Sequence, residues 1–471
     1  MKDSGVPWLG EVPEHWSLER AKWLFRKMAR PARKTDEVVT CFRDGTVTLR
    51  KNRRVRGFTE SIQEIGYQGV RRGDLVIHAM DAFAGAIGVA DSDGKATPVY
   101  SVCEPATIAD ARYYAYVVRE MARSSWIQAL SRGIRERSTD FRFESFGSQP
   151  VPFPPRSEQV GITRFLDHAD RRIRRYVRAK QKLIKLLEEQ KQAIIHGAVT
   201  RGLDPDDRLK IPDGDALDEV PEHWAARRLK TLVHRIDQGV SPQAENRLAI
   251  DGSWGVLKSG CVNRGVFREV EHKRLPSAFA FDAGLAVAVG DVLVCRASGS
   301  TALVGSVGRI IDLNYRLILS DKTFRLVFKE QVDPDFLVLS MNSPSYRQQV
   351  EREVSGAVGL AKNLSLSSLR SFVFRIPPLD EQTQIVEAVR GETRNVSTGI
   401  QAAEREITLL REYRTRLIAD VVTGKLDVRE AAARLPDEVE DAEPLDEPEE
   451  LTDTDEDAAD QLDAAPDEDA A

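Results

Sequence analysis

The residues of this sequence best suited to chemistry are cations. Arg50, Lys51, Arg53, Arg54 and Arg56 fall close together, and Arg71, Arg72, Arg132, Arg135, Arg137 and Arg142 follow them. A guanidinium fork can pair bidentately with a guanine edge, and any of these groups can neutralise a phosphate, so the pattern points to nucleic acid. Lys258, Arg264, Arg268, Lys273, Arg274, Arg296, Lys322, Lys362 and Asn363 are candidates of the same kind further along the chain. Catalytic patterns are missing: the sequence has no GxxxxGK[ST] phosphate loop, no HExxH helix and no GxSxG elbow. No catalytic residue and no metal ligand is therefore assigned. His15 and His223, each followed by a tryptophan, are expected to orient a strand or turn rather than act as bases.

Composition bounds the partners. The four cysteines, Cys41, Cys103, Cys261 and Cys295, are never closer than 34 residues, which excludes a CxxC zinc ribbon and a disulfide framework. They are expected to be reduced, partly buried thiols. The N-terminus carries no basic-then-apolar leader, and the longest apolar stretch, Leu285 to Cys295, is broken by Gly290 and Asp291. These features give the expectation of a cytoplasmic protein. The net charge of -6 averages two unlike regions: residues 436–471 hold 18 acids and no base, leaving 56 acids (74 - 18) against 68 bases, or +12, in the rest. The tail has too few large apolar side chains to form a core and is expected to be disordered.

The elements that must position the cations come in two copies. Val12-Pro13-Glu14-His15-Trp16 recurs as Val220-Pro221-Glu222-His223-Trp224. Pro154-Pro155, Glu158-Gln159 and Ile162 recur 223 residues later as Pro377-Pro378, Glu381-Gln382 and Ile385, and the offset still holds at Leu203-Asp204 and Leu426-Asp427. A repeat of fixed length fits a helix, because an insertion would rotate every later side chain off its face. Ile162, Leu166, Ile173, Val177, Ile184, Leu187, Ile194 and Ala198 follow heptad spacing, as do Ile385, Val389, Val396, Ile400, Ile407, Leu410, Leu417 and Val421. Two helices of roughly 60 Å are predicted, with Gly202 and Gly424 at their C-terminal ends. Residues 156–201 carry 12 bases and 5 acids, and residues 379–424 carry 6 bases and 8 acids, so the helices attract one another and are expected to pair antiparallel within the chain.

Between the helices lie two halves rich in short β-like runs. Gly73-Asp74-Leu75-Val76-Ile77 answers Gly290-Asp291-Val292-Leu293-Val294, and Gly85-Ala86-Ile87-Gly88-Val89 answers Gly305-Ser306-Val307-Gly308-Arg309. Met80, Asp81 and Phe83 thus occupy a loop equivalent to that of Arg296 and Ser298. The halves share a plan and differ in most exposed residues, as expected of two readers with different targets.

Trp8-Leu9-Gly10-Glu11-Val12-Pro13-Glu14-His15-Trp16, Gly73-Asp74-Leu75-Val76, Met80-Asp81-Ala82-Phe83 and the Pro-Pro-x-x-Glu-Gln entry into a helix ending near Val-Thr-x-x-Leu-Asp resemble the specificity subunit of type I restriction-modification systems, over about residues 5–430. The resemblance implies an α+β fold in which two pseudo-symmetric α/β target recognition domains are separated by two long antiparallel coiled-coil helices, here followed by the acidic tail. The expected division is 1–153 for the first recognition domain, 154–203 for the first spacer helix, 204–376 for a linker and the second recognition domain, 377–430 for the second helix and 431–471 for the tail. Each domain would read one half of a bipartite, asymmetric DNA site, with helix length setting the spacer between the halves. Two modification subunits using S-adenosylmethionine would dock along the helices, for which Ile162, Leu166, Ile173, Leu187, Ile194, Ile385, Val389, Val396, Leu410 and Leu417 are the candidates. Restriction subunits would use ATP and Mg²⁺, and no cofactor would be bound by this chain. A coiled-coil scaffold that binds DNA without sequence preference is the alternative, and a nuclease or methyltransferase in its own right is a further one.

Overall fold

A computed structural model describes residues 1–53, 66–130, 140–211, 219–250, 252–354 and 362–436. Arg54, Arg56, Arg132, Arg135, Arg137 and residues 437–471 of the acidic tail lie outside the described residues. The chain forms two compact units, unit 1 from Met1–Arg175 together with Leu410 onward, and unit 2 from Tyr176–Leu409. The principal helices are α1 (Ala111–Arg123), α2 (Arg156–Arg201), α3 (Pro334–Ser340) and α4 (Leu379–Val422). No helix among the described residues is long and apolar enough to cross a membrane.

Helices α2 and α4 contribute to both units and run antiparallel in each. In unit 1 Ile162 and Leu166 share a core with Leu417 and Val421, and Asp170 pairs with Arg414. In unit 2 Lys180 pairs with Glu406 at 2.6 Å, and Ile195, Ala198 and Val199 share a core with Ile385, Val386 and Val389. Numbers rise along one helix as they fall along the other, which is the antiparallel pairing that their charges favour. This packing corrects the assignment of the heptad seam to a separate subunit. Ile162, Leu166, Ile173, Ile385, Val389, Val396 and Leu417 are buried within the chain, and Leu187, Ile194 and Leu410 are half-buried. A heptad seam needs a partner helix to fill its holes, and here the partner belongs to the same chain.

The two repeated motifs meet at the start of each long helix. In unit 1 the Trp16 indole N–H donates to Glu158 Oε1 at 3.0 Å and His15 Nε2 lies 2.9 Å from Glu158 Oε2. Unit 2 has the same pair of bonds, Trp224 to Glu381 Oε1 at 2.9 Å and His223 to Glu381 Oε2 at 2.9 Å. The neighbouring glutamines are buried and tie each helix to its sheet domain: the Gln159 carbonyl accepts from the Asp110 amide at 2.8 Å, and that of Gln382 accepts from the Asp333 amide at 2.8 Å. Asp110 and Asp333 in turn cap α1 and α3, each taking two backbone amides. The helix ends meet the same tryptophans. Gly424, at φ +76°, leaves no room for a Cβ against Pro13 and Trp16, and Gly202, at φ +74°, lies against Trp224. One tryptophan in each unit thus joins the start of one long helix to the end of the other.

Unit 1 contains an antiparallel sheet in the order Phe25–Lys27, Tyr100–Pro105, Leu75–His78, Ile87–Val89. The two-residue period places Leu75, Ile77 and Cys103 in the core with α1, and Val76 and Val102 in a second cluster with Val39, Val47 and Val70. Unit 2 contains a six-stranded sheet in the order Val233–Gln238, Thr323–Phe328, Val292–Cys295, Val307–Arg309, Gly265–Phe267, Val262–Asn263. Val292 and Val294 pack in the core that includes Phe336 of α3, while Leu293 and Cys295 join Cys261 and Val262.

The Gly-Asp repeats enter the central strands by identical turns. Gly73 at φ +92° donates to Ala90 O, and Gly290 at φ +98° donates to Ile310 O. Asp74 accepts the Arg71 amide and pairs with Arg30, as Asp291 accepts the Ala288 amide and pairs with Arg325. All four cysteines are buried and free. Burial pushes their thiols up, Cys295 to about 12, so little thiolate exists near neutral pH. A thiol reagent at pH 8 is expected to label none of them in the native protein and all four in denaturant. Mass spectrometry of the labelled chain checks this.

Candidate nucleic-acid interface

Each central strand runs into a loop of small residues, and both loops are fixed from below. In unit 2 the strand Val292–Cys295 leads to Arg296 and then to Ala297–Ser298, which pairs antiparallel with Lys362–Asn363. Four candidates far apart in sequence, Arg296, Ser298, Lys362 and Asn363, therefore share one edge. The Arg296 guanidinium donates to Asp321 O at 3.0 Å and lies 5.8 Å from the Phe324 ring, and the buried Ser298 hydroxyl accepts the Ser300 amide at 3.2 Å. Below the following loop, Arg347 donates to the carbonyls of Thr301 and Val304, and the Tyr346 hydroxyl donates to Gly305 O at 2.8 Å. The loop backbone is thus preorganised, while Gly299 faces open space. An asparagine amide beside a lysine on such an edge can donate to and accept from an adenine edge and contact a neighbouring phosphate.

Unit 1 repeats the arrangement with other side chains. The strand Leu75–His78 leads to a loop in which the Asp81 amide donates to His78 Nδ1 at 3.1 Å. Hydrogen bonding to His78, aided by Arg43 at 3.1 Å, holds the Asp81 carboxyl below its ordinary range against the opposing effect of burial. The Phe141 amide donates to Ala79 O at 3.2 Å, which brings the segment that follows residues 131–139 to this loop. Met80 is exposed, and Phe83 is half-buried against the core of α1. The cluster at 50–53 lies on a 3₁₀ turn with its charges engaged: Arg50 donates to Thr40, Lys51 pairs with Glu37, and Arg53 pairs with Asp44 and covers the Phe42 ring at 4.5 Å. Such exposed pairs are worth little and exchange readily for phosphate.

Two candidates have other roles. Arg264, at φ +48°, pairs with Glu188 of α2 at 2.8 Å, so it fastens a hairpin of unit 2 to the helix rather than presenting a free cation. Phe83 serves packing. Lys258 is half-buried, and its backbone joins the turn to Glu271 and Cys261. The residues that sequence reasoning missed are Glu158, Gln159, Glu381 and Gln382, whose signal was present as the repeated Glu-Gln pair. Asp110 and Asp333, related by the same offset of 223, extend it.

Comparison with known proteins adds sequence and fold relatives. A search of family models finds no match. A stretch of 209 residues is 26% identical to the type I restriction enzyme EcoEI specificity subunit of Escherichia coli, covering 44% of this chain and 35% of the relative. The EcoKI specificity subunit of E. coli strain K12 is 23% identical over 291 residues, covering 61% of this chain and 60% of the relative. The chain therefore spans between about a third and three fifths of the curated relatives it matches. A solved structure bearing on assembly and conformational transition of the type I R-M system superposes with a TM-score of 0.60 at 14% identity, covering 88% of this chain and all of that one. The chain is a relative of the type I restriction-enzyme specificity subunits. The fold likeness, over 88% of the chain, takes in most of both units.

Proposed function

We propose that this chain is the non-catalytic DNA-recognition subunit of a type I restriction-modification complex, reading a bipartite, asymmetric site with one unit per half-site. One observation carries the reading: the two units share their framework bonds, from the Gly-Asp turns to the Trp–Glu and Gln–Asp contacts, and differ at the edges where Met80 and Asp81 stand in one and Arg296, Lys362 and Asn363 in the other. Identical frames with unlike reading edges are what two different half-sites require. The likeness to specificity subunits supports the partners: double-stranded DNA, modification subunits that use S-adenosylmethionine for adenine methylation, and restriction subunits that use ATP and Mg²⁺. The chain itself supplies positioning and no catalytic cofactor.

Because the heptad seam is consumed internally, the modification subunit has to grip other side chains of the helices. Tyr176, Leu183 and Leu186 on α2 and Leu409 and Tyr413 on α4 are exposed apolar residues at spacings of 7, 3 and 4, which place them on one face of each helix. Leu183→Asp with Leu186→Asp is expected to abolish co-purification with the modification subunit while leaving the chain's own melting temperature within about 2 °C, since neither side chain is in the core. Co-expression pull-down and thermal melting check both parts.

Selection from randomised duplexes by the chain co-assembled with its modification partner tests the proposal. Two enriched blocks separated by a gap of constant length are expected. Salt-sensitive binding without enrichment would favour the non-specific scaffold.

A further inference from the structure

We propose that Asp207, His223 and Glu381 of unit 2 form a divalent-cation site, suited to Zn²⁺, that ties the turn after α2 to the first turn of α4. These three are the one such group of His, Cys, Asp or Glu side chains among the described residues, with ligand atoms all within 4.8 Å of one another. The proposal is independent of the functional reading and departs from the expectation of a chain without bound metal.

Local structure brings the ligands together. The strand Leu209–Lys210 pairs with Val220–Pro221, and the Glu222 amide donates to Arg208 O at 2.8 Å, so Asp207 and His223 sit at the same end of one short hairpin. Glu381 is already oriented by the Trp224 indole on Oε1, which leaves Oε2 facing His223 Nε2 at 2.9 Å. Zinc ligands at about 2.0–2.2 Å from the ion stand roughly 3.4 Å apart, so a closure of up to about 1.4 Å by the Asp207 side chain and an opening of about 0.5 Å between His223 and Glu381 would complete three positions, with water in the fourth. The ion would take the place of the His223–Glu381 hydrogen bond, bound by the imidazole through Nε2. One imidazole with two carboxylates suits Zn²⁺ better than Mg²⁺, which prefers oxygen ligands alone.

The second observation comes from the repeat, which shows a cation at the equivalent place. At the offset of 223 that relates Asp204 to Asp427, the place of Arg429 is taken in unit 2 by Asp206, next to Asp207: the Asp206 amide donates to Asp204 Oδ1 at 2.9 Å as the Arg429 amide donates to Asp427 Oδ1 at 3.0 Å. Arg429 Nη2 donates to Asp427 at 2.6 Å, and the two line one cavity with Glu158 and His15, whose Nε2 lies 2.9 Å from Glu158 Oε2. Unit 1 therefore sets a guanidinium, engaged by Asp427, in the same cavity as its His–Glu pair. Unit 2 has Asp206 where that guanidinium belongs, with Asp207 beside it, and the Asp207 and Glu381 carboxylates at this separation repel unless a cation lies between them.

Calorimetric titration of the EDTA-treated full-length chain with ZnCl₂, repeated on Asp207→Asn and Asp207→Arg, tests the site. One saturable site per chain is expected, weakened at least tenfold in Asp207→Asn and lost in Asp207→Arg. The Asp207→Arg chain, which carries its own cation, should melt no lower without metal than the metal-free parent. Equal Zn²⁺ affinity in parent and Asp207→Asn, or no saturable binding to the parent, would overturn the proposal. MgCl₂ binding as strongly as ZnCl₂ would overturn the assignment of His223 as a ligand.

Discussion

Replacing Trp16 with alanine is expected to destabilise unit 1 by about 3–5 kcal/mol, the usual cost of truncating a fully buried aromatic side chain. Three losses combine at this position. The indole is 1% exposed and stands edge-on to Tyr113 at 6.5 Å between ring centroids. Its N–H satisfies one oxygen of Glu158, which would be left with the His15 contact alone. Its ring also fills the space beside Gly424, where the chain leaves α4. Glu158→Gln keeps the packing and removes only the charge, so a smaller loss of about 1–2 kcal/mol is expected. Trp224→Ala should act in the same way on unit 2, through Glu381 and the edge-on contact with Phe336. Denaturant unfolding followed by tryptophan fluorescence and circular dichroism measures these changes. A loss below about 1 kcal/mol for Trp16→Ala would mean that the motif does not clamp the helices.

Alanine substitution of Arg296, Lys362 and Asn363 together is expected to lower affinity for the cognate duplex by 100-fold or more, with discrimination lost in one half-site only. A well-placed bidentate base contact is worth about 1–3 kcal/mol, and each phosphate contact adds a salt-dependent increment. The three side chains belong to one edge of unit 2, so the half-site read by unit 1 should keep its preference unchanged. Single substitutions separate the roles. Asn363→Ala is expected to relax one base position, while Lys362→Ala is expected to weaken all sequences about equally and to flatten the salt dependence. Competition binding against duplexes mutated in one half at a time distinguishes these outcomes.

The sequence carried the frame of the molecule further than its surfaces. An identical pentapeptide and a Glu-Gln pair repeated at constant offset were legible as a duplicated plan, and each member has a bond in the structure. Their partners were not legible, because Trp16 meets Glu158 across 142 residues and Trp224 meets Glu381 across 157. The heptads and the opposite helix charges pointed to pairing within the chain, and that pairing takes up Leu166 and Val389, which the resemblance alone offers to another subunit. Charge was the least informative signal. Lys51, Arg53 and Arg264 are candidates for phosphate by type alone, and only the fold shows that Glu37, Asp44 and Glu188 engage them. The edge joining Arg296 and Ser298 to Lys362 and Asn363 became visible only when the strands paired, although its members had been named singly.

Base-resolved mapping of adenine methylation in the source cell, with and without this gene, tests the recognition role most directly. Loss of a single split motif, two defined blocks separated by a constant number of unspecified bases, is the predicted result. Restoring the gene with Arg296, Lys362 and Asn363 replaced by alanine should return methylation to sites matching only the other block. An unchanged methylome in a cell that expresses the modification partner would contradict the account.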